Sequence, residues 1–169
     1  MKVSVSIAIP KKLYDEAIRR GIDVEELVLS VLINTLKPDP ETLIRIRVEL
    51  AINYLNEGKD LIDKDPIQAS EKLYRAVEES VKALAIYYDL KDVLAKVNER
   101  GRWTVTELEK AVIEISRRIG KWFRQSWDTA NYLHVWGFHE MKLDAEDVKD
   151  RLPDIEKMIQ EAQKIALST

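Results

Sequence analysis

Residues 66–88 have the sequence PIQASEKLYRAVEESVKALAIYY. Small and apolar residues recur in it at intervals of three and four, which places them on one face of an α-helix: Ala69, Leu73, Ala76, Val77, Ser80, Leu84 and Tyr87. The small residues allow a neighbouring helix to approach closely. Asp65 and Pro66 supply an N-cap and a first-turn residue. This stretch therefore predicts a long helix that packs against other helices.

The helical period continues on both sides of this segment. It predicts helices over about 41–63, 106–119 and 121–136, and a last helix that Asp144 caps. Apolar residues lie on two faces of the helix at 41–63, so we expect it to be covered on both sides. Thr106 and Glu109 fit a capping box, and Gly120 and Gly137 are predicted helix ends. The predicted fold class is all-α.

The N-terminal segment has a different pattern. Residues 2–9 alternate between apolar and polar side chains, which predicts one β-strand, and helices are expected at 11–20 and 24–36. A lone strand needs a partner for its backbone groups, and a second copy of the chain would provide it. Pro38 and Pro40 mark a boundary. We therefore expect a strand-helix-helix dimerisation arm at 1–38 and a helical domain at 39–169.

Composition excludes several classes of protein. The 169 residues carry a formal net charge of −3 and include no cysteine, which excludes disulfide scaffolds, thiolate zinc sites and cysteine nucleophiles. The longest nearly apolar run, residues 27–33, is too short to cross a membrane, and the first residues lack a signal-peptide pattern. We expect a cytoplasmic protein. No glycine-rich phosphate loop or G-x-S-x-G turn is present, which argues against P-loop and serine-hydrolase chemistry.

A basic segment precedes an acid-rich C-terminal part. If one helix continues past Gly120, three of its four cations lie at i, i+4 and i+7 beside Trp122 and Trp127. The four cations are Arg117, Arg118, Lys121 and Arg124. Such a surface could bind a phosphate backbone or a stacked nucleotide. The alternative is a solvated face that pairs with the acidic C-terminal helix.

Both histidines and three of the four tryptophans lie between residues 122 and 139. One interpretation is a pocket in which His134 acts as an acid or base, Asn131 orients a ligand, and Trp127 and His139 contact it. The other is that the aromatic residues form core and the histidines are hydrogen-bonded at helix ends. His134 and His139 are five residues apart, which is not the same-face spacing of helical metal sites. The sequence therefore predicts no metal and no cofactor.

Two resemblances to known families extend these predictions. The N-terminal arm, from Val3–Pro10 through the two helices, resembles a ribbon-helix-helix module. This resemblance implies a ribbon that enters the DNA major groove. Only Lys2 is charged on the outward row, and Asp23, Glu25 and Glu26 at the second helix would repel a phosphate. Dimerisation without DNA binding is the alternative.

Residues 68–84 resemble the long central helix of HEPN-type domains. The run from Trp127 to Glu140, together with residues 21–26 and 101–103, resembles the archaeal PaREP family, which is grouped with HEPN-like helical domains. The resemblance implies a dimeric, antiparallel helical bundle, which is HEPN-like. It implies no particular activity.

Many HEPN proteins are ribonucleases with an arginine four to six residues before a histidine. Here the nearest arginine before His134 is Arg124, with nine residues between them. Arg124, Asn131 and His134 fit one broad helical face, but ten residues of helix separate the outer two by about 15 Å. We therefore expect a homodimeric RNA- or nucleotide-binding module rather than an enzyme. The alternatives are a divergent metal-independent ribonuclease using these three residues, or a ribbon-helix-helix DNA-binding regulator.

Overall fold

The structure is a computed structural model that describes residues 5–168, and its regular elements are helices. They are α1 (Lys11–Arg19), α2 (Val24–Leu36), α3 (Pro40–Leu61), α4 (Pro66–Tyr87), α5 (Lys91–Arg100), α6 (Val105–Ile119), α7 (Lys121–Tyr132), a π-helix (Leu133–His139) and α8 (Ala145–Leu167). The chain forms two compact units, residues 1–39 and residues 40–169. The all-α fold class is confirmed.

The predicted N-terminal strand is wrong where the structure describes it. Residues 5–10 have no regular secondary structure, and the side chains of Val5 and Ile7 are exposed. Residues 2–4 of the predicted strand lie outside the described residues. Alternation of side chains favours a strand only where a second strand pairs with its backbone, and residues 5–168 contain no strand that could do so. The described part of the predicted strand, residues 5–9, is therefore not a strand, and the ribbon is not confirmed.

The N-terminal unit is a pair of helices. Gly21, in the left-handed conformation with φ of 71°, follows α1. The carboxylate of Asp23 then accepts a hydrogen bond from the backbone N–H of Glu26 at 3.0 Å and caps α2. No residue of α1 or α2 is buried, and large apolar side chains on both helices are exposed.

In the second unit, α4 is the central helix. It packs against α3, α5, α6, α7, the π-helix and α8. The Asp65 carboxylate caps it by accepting a hydrogen bond from the backbone N–H of Gln68 at 3.0 Å. Ala69, Ala76 and Ala83 are fully buried, as expected where neighbouring helices approach closely. The centre of this unit is therefore the helix predicted from residues 66–88.

Three local predictions have different outcomes. Asp144 caps α8 as expected, in a capping box with Asp147. The predicted capping box at Thr106 and Glu109 is wrong, because α6 begins at Val105 with Thr104 as its N-cap. The predicted α-helix over 121–136 is also wrong at its end. Regular α-helix stops at Tyr132 and continues as the π-helix, which passes through Gly137.

Among residues 5–168, no helix combines the length and the apolar character that crossing a bilayer requires.

Candidate functional site

The π-helix after α7 places two histidines on the same side. The backbone N–H of Glu140 donates to the carbonyl of Val135, five residues earlier, at 2.8 Å. Hydrogen bonds of this kind widen the helix, so residues five apart lie on the same side of it. In an α-helix the same two residues would be about 140° apart. The widened turn therefore brings His134 and His139 together.

Gly137 fixes this turn against α4. A Cβ atom added at Gly137 would lie 2.6 Å from Cβ of Ser70 and would also overlap the Ser70 hydroxyl. That hydroxyl donates a hydrogen bond to the carbonyl of Pro66 at 2.8 Å. Only glycine allows so close an approach, so Gly137 determines how deeply the π-helix sits on α4.

His134 links α4 to the second histidine. Its Nδ1 lies 2.7 Å from Oε2 of Glu71, and its Nε2 lies 3.1 Å from Nε2 of His139. A carboxylate can only accept, so the neutral imidazole of His134 carries its proton on Nδ1. The Nε2 of His134 is then an acceptor, and Nε2–H of His139 donates to it. The three side chains form one hydrogen-bonded chain from the half-buried Glu71 to the exposed His139.

Aromatic rings and an arginine surround these three side chains. The ring of Tyr74 stacks on His134 with 4.1 Å between centroids, and Phe138 lies 6.1 Å away at a similar angle. Nε of Arg75 lies 3.2 Å from Oε1 of Glu71. Both carboxylate oxygens of Glu71 are therefore paired, and the His134 ring is held at its nitrogen and across its face.

Electrostatics favour an ionised Glu71. Burial acts to raise the pKa of its carboxyl, but the hydrogen bond from His134, together with the charge and hydrogen bond of Arg75, outweighs burial and lowers the pKa. Burial raises the pKa of the Tyr74 hydroxyl, and the charges of nearby carboxylates add to the effect. At neutral pH Glu71 is thus a carboxylate that orients His134, and Tyr74 is neutral.

This arrangement has defined chemical capacities. An imidazole oriented by a carboxylate can accept or donate a proton near neutral pH. Two Nε2 atoms that face each other can also act together as ligands of a metal cation. The described residues contain no cluster of three or more histidine, aspartate or glutamate side chains with metal-binding geometry.

The predicted catalytic trio is not assembled within one chain. Arg124 is exposed in the first turn of α7, whereas His134 follows the end of that helix. Roughly 15 Å of helix separates them. Asn131 is half-buried in the last turn of α7. Within residues 5–168, His134 is hydrogen-bonded to Glu71 and His139 rather than to either predicted partner.

The predicted basic stripe is interrupted at Gly120. With φ of 114° and ψ of 159°, this residue ends α6, and α7 begins at Lys121, so the assumed i, i+4, i+7 geometry is wrong. Arg117 pairs with Glu114 at 2.7 Å, and the guanidinium of Arg118 lies 5.1 Å from the ring centroid of Tyr88. All four predicted cations nevertheless remain exposed and lie close to the α6–α7 junction.

The tryptophans divide between core and surface. Trp127 is fully buried, and its indole N–H donates to Glu109 at 2.8 Å, so its ring presents no face to a ligand. Phe123 is also fully buried. Trp122 is half-buried and has Nζ of Lys157 over its ring at 4.9 Å. Trp136 is 45% exposed. Core packing therefore accounts for Trp127 and Phe123, but not for Trp136.

Sequence reasoning missed Glu71 and Tyr74. They precede His134 by about sixty residues and lie on the polar edge of the α4 pattern, so no local spacing connects them with the histidine. The only local signal was the spacing of five between His134 and His139, which matches a π-helix and not an α-helix.

The fold and the site together define the class of protein: a helical-bundle protein with a histidine pair in a π-helix. The model of the archaeal PaREP1/PaREP8 family matches residues 46–159, which include α4 and the π-helix. The chain belongs to this family.

Two solved structures are similar to the chain. The chain is similar to the crystal structure of a protein from Sulfolobus solfataricus, with 35% identity and a TM-score of 0.63, over 68% of this chain and 94% of that one. The solution structure of the same structural-genomics target has a TM-score of 0.61 at 35% identity, over 68% of this chain and 89% of that one. No curated protein matches the chain.

Proposed function

We propose that this protein is a cytoplasmic RNA- or nucleotide-binding module with an HEPN-like bundle, and that the α6–α7 junction contacts the phosphates. The observation that carries the proposal is the local charge. Residues 115–127 contain four cations and no acid, and all four cations are exposed: Arg117, Arg118, Lys121 and Arg124. Clustered exposed cations attract phosphates through charge and counterion release.

The break at Gly120 places two of the cations at the end of one helix and two in the first turn of the next. It ends α6 directly after Arg117 and Arg118 and starts α7 at Lys121. The first turn of α7 contains no acid, so the partial positive charge of that helix end adds to the side-chain charges. Lys157 of α8, which lies over Trp122, brings a fifth cation near the junction.

The net charge of −3 does not oppose local binding. Residues 140–161 are acid-rich. At physiological ionic strength, charges more than about 8 Å apart are largely screened, so only acids of α8 that lie close to α7, such as Asp154 beside Thr129, oppose binding near the junction.

A charge-reversal experiment tests the proposal. Binding of a fluorescently labelled single-stranded RNA is measured by anisotropy for wild type and Lys121→Glu/Arg124→Glu over a salt series. The matched control, Lys91→Glu/Lys96→Glu, makes the same charge change at exposed positions of α5. We expect the junction variant to weaken binding at least tenfold and to lower the salt slope by about two, because two phosphate contacts are lost. Equal effects of both variants would contradict the proposal.

We also propose that a second copy of the chain covers the helices of the N-terminal unit. The exposed apolar side chains of α1 and α2 support this, since a soluble protein rarely leaves so many uncovered: Leu13, Ile18, Leu27, Val31 and Leu36 are at least half exposed. Light scattering of wild type and Leu27→Asp/Val31→Asp tests it. A dimer that the variant converts to a monomer is expected, and a monomeric wild type at micromolar concentration would contradict the proposal.

A further inference from the structure

The histidine pair of the π-helix has no part in the proposed RNA binding. We propose that His134 and His139 bind one divalent transition-metal ion of the zinc type through their Nε2 atoms, with Glu71 holding His134 from behind. This inference does not depend on the proposed function.

The first argument is the spacing of the two nitrogens. Nε2 of His134 and Nε2 of His139 are 3.1 Å apart, and the rings are nearly perpendicular, at 82°. Two imidazole nitrogens on a tetrahedral zinc ion lie at about 2.0–2.1 Å from the metal, and hence about 3.3 Å from each other. To receive the ion, the two nitrogens need to separate by only a few tenths of an ångström, and the proton of the His139 imidazole must pass from Nε2 to the exposed Nδ1, which frees the Nε2 lone pair.

The second argument is the carboxylate behind the first ligand. The carboxylate of Glu71 accepts a hydrogen bond from Nδ1–H of His134 at 2.7 Å. This leaves the lone pair of Nε2 directed toward His139. Metal-binding histidines almost always have such a carboxylate or carbonyl on the other nitrogen, where it fixes the tautomer and raises the basicity of the ligand. Stacking on Tyr74 holds the ring in this orientation.

The third argument concerns access and selectivity. His139 is exposed and the side chain of His134 is 26% exposed, so an ion can reach both nitrogens from solvent. No third histidine, aspartate or glutamate among residues 5–168 completes the cluster. Water or a bound anion must therefore fill the remaining positions, as in zinc sites with open coordination. Imidazole donors favour zinc or copper over magnesium and calcium.

The composition of the chain makes the imidazole signals easy to assign. The protein has only two histidines and no cysteine, so every imidazole signal belongs to this site. Tag-free protein is titrated with zinc chloride by calorimetry, and the imidazole nitrogens are followed by ¹⁵N NMR. We expect one zinc ion per chain at micromolar affinity, with shifts of both Nε2 resonances and little change at Nδ1 of His134.

Variants identify the ligands. We expect His139→Gln to abolish saturable zinc binding, and this exposed position is suited to substitution without unfolding. Glu71→Gln should weaken binding by about 10–100-fold, the usual effect of removing a carboxylate behind a metal-binding histidine. Glu114→Gln, which removes a carboxylate from α6, is the matched control and should bind as wild type.

Two results would overturn the proposal. One is the absence of saturable zinc binding by wild type at millimolar zinc. The other is binding that His139→Gln leaves unchanged. Because RNA anisotropy is measured separately, loss of zinc binding in His139→Gln with unchanged RNA affinity would support the metal site without bearing on the α6–α7 junction.

Discussion

Nε2 of His134 lies 3.1 Å from Nε2 of His139, although the two residues are five apart in the sequence. This relationship exists because the helix widens after Tyr132. An α-helix would direct the two side chains about 140° apart, whereas i to i+5 hydrogen bonding brings them to the same side of the helix. The site is therefore a property of the backbone as much as of the side chains.

Gly137→Ala should destabilise the protein and disturb the histidine pair. The new Cβ would come within 2.6 Å of Cβ of Ser70, so the π-helix must move away from α4. Overpacking of this kind costs about 1–3 kcal/mol. Urea unfolding measures the loss, and ¹⁵N NMR of the two imidazoles reports whether the hydrogen bond between them is broken.

The variant Gly137→Ala/Ser70→Gly is the control for that experiment. Removing the Ser70 side chain clears the space that the new methyl group needs. We expect it to restore the imidazole signals, although glycine within α4 costs about 0.5–1 kcal/mol. Imidazole signals in Gly137→Ala that match wild type would show that the contact with Ser70 does not position the histidines.

Stability should fall at low pH because of a buried ion network in the bundle. Glu79 lies between two cations, with Oε2 2.8 Å from a guanidinium nitrogen of Arg47 and Oε1 2.8 Å from Nζ of Lys82. Burial acts to raise the pKa of the Glu79 carboxyl, but the charges and hydrogen bonds of Lys82 and Arg47 outweigh it and lower the pKa. A carboxyl whose pKa is lower in the folded state stabilises the protein above its unfolded pKa. That contribution is lost as pH falls through the folded pKa.

Glu79→Gln tests this explanation. At neutral pH it removes the carboxylate that pairs with Arg47 and leaves Lys82 paired with Glu78, and we expect a loss of up to about 3–5 kcal/mol in the free energy of unfolding, chiefly from the buried guanidinium of Arg47. Urea unfolding at neutral and acidic pH should also show a weaker pH dependence than in wild type. Glu41→Gln, which removes an exposed carboxylate of α3, is the control. An unchanged pH dependence in Glu79→Gln would contradict the assignment.

The two tryptophans nearest the site should respond very differently to substitution. Trp127 is fully buried, so Trp127→Ala should lower the free energy of unfolding by about 3–5 kcal/mol. Trp136 is 45% exposed, and Trp136→Ala should change the free energy of unfolding by less than about 1 kcal/mol. Urea unfolding of both variants checks the contrast, and similar losses in the two would show that the assignment of core and surface is wrong.

The sequence predicted the helices well because their evidence is local. The small and apolar residues between Ala69 and Tyr87 recur at the helical period. Asp65 and Asp144 cap the helices that follow them. The predicted strand was wrong at residues 5–9, where the structure describes it, because alternation of side chains does not provide a partner for the backbone. The histidine site was missed because Glu71 is distant in the sequence, and because a spacing of five has meaning only after the helix has widened.

Arg124 and His134 should act independently on RNA binding. Arg124 lies in the first turn of α7 and His134 beyond its end, and in the described residues His134 is hydrogen-bonded to Glu71 and His139 instead. Substitutions that share no partner and are more than about 7–10 Å apart add within roughly 0.3–0.5 kcal/mol. Anisotropy with Arg124→Ala, His134→Ala and the double variant measures their coupling. We expect Arg124→Ala alone to weaken binding, additive effects in the double variant, and intact RNA after incubation with wild type. A coupling above 1 kcal/mol, or cleavage that either variant abolishes, would show that the two residues form one site, across two copies of the chain if not within one.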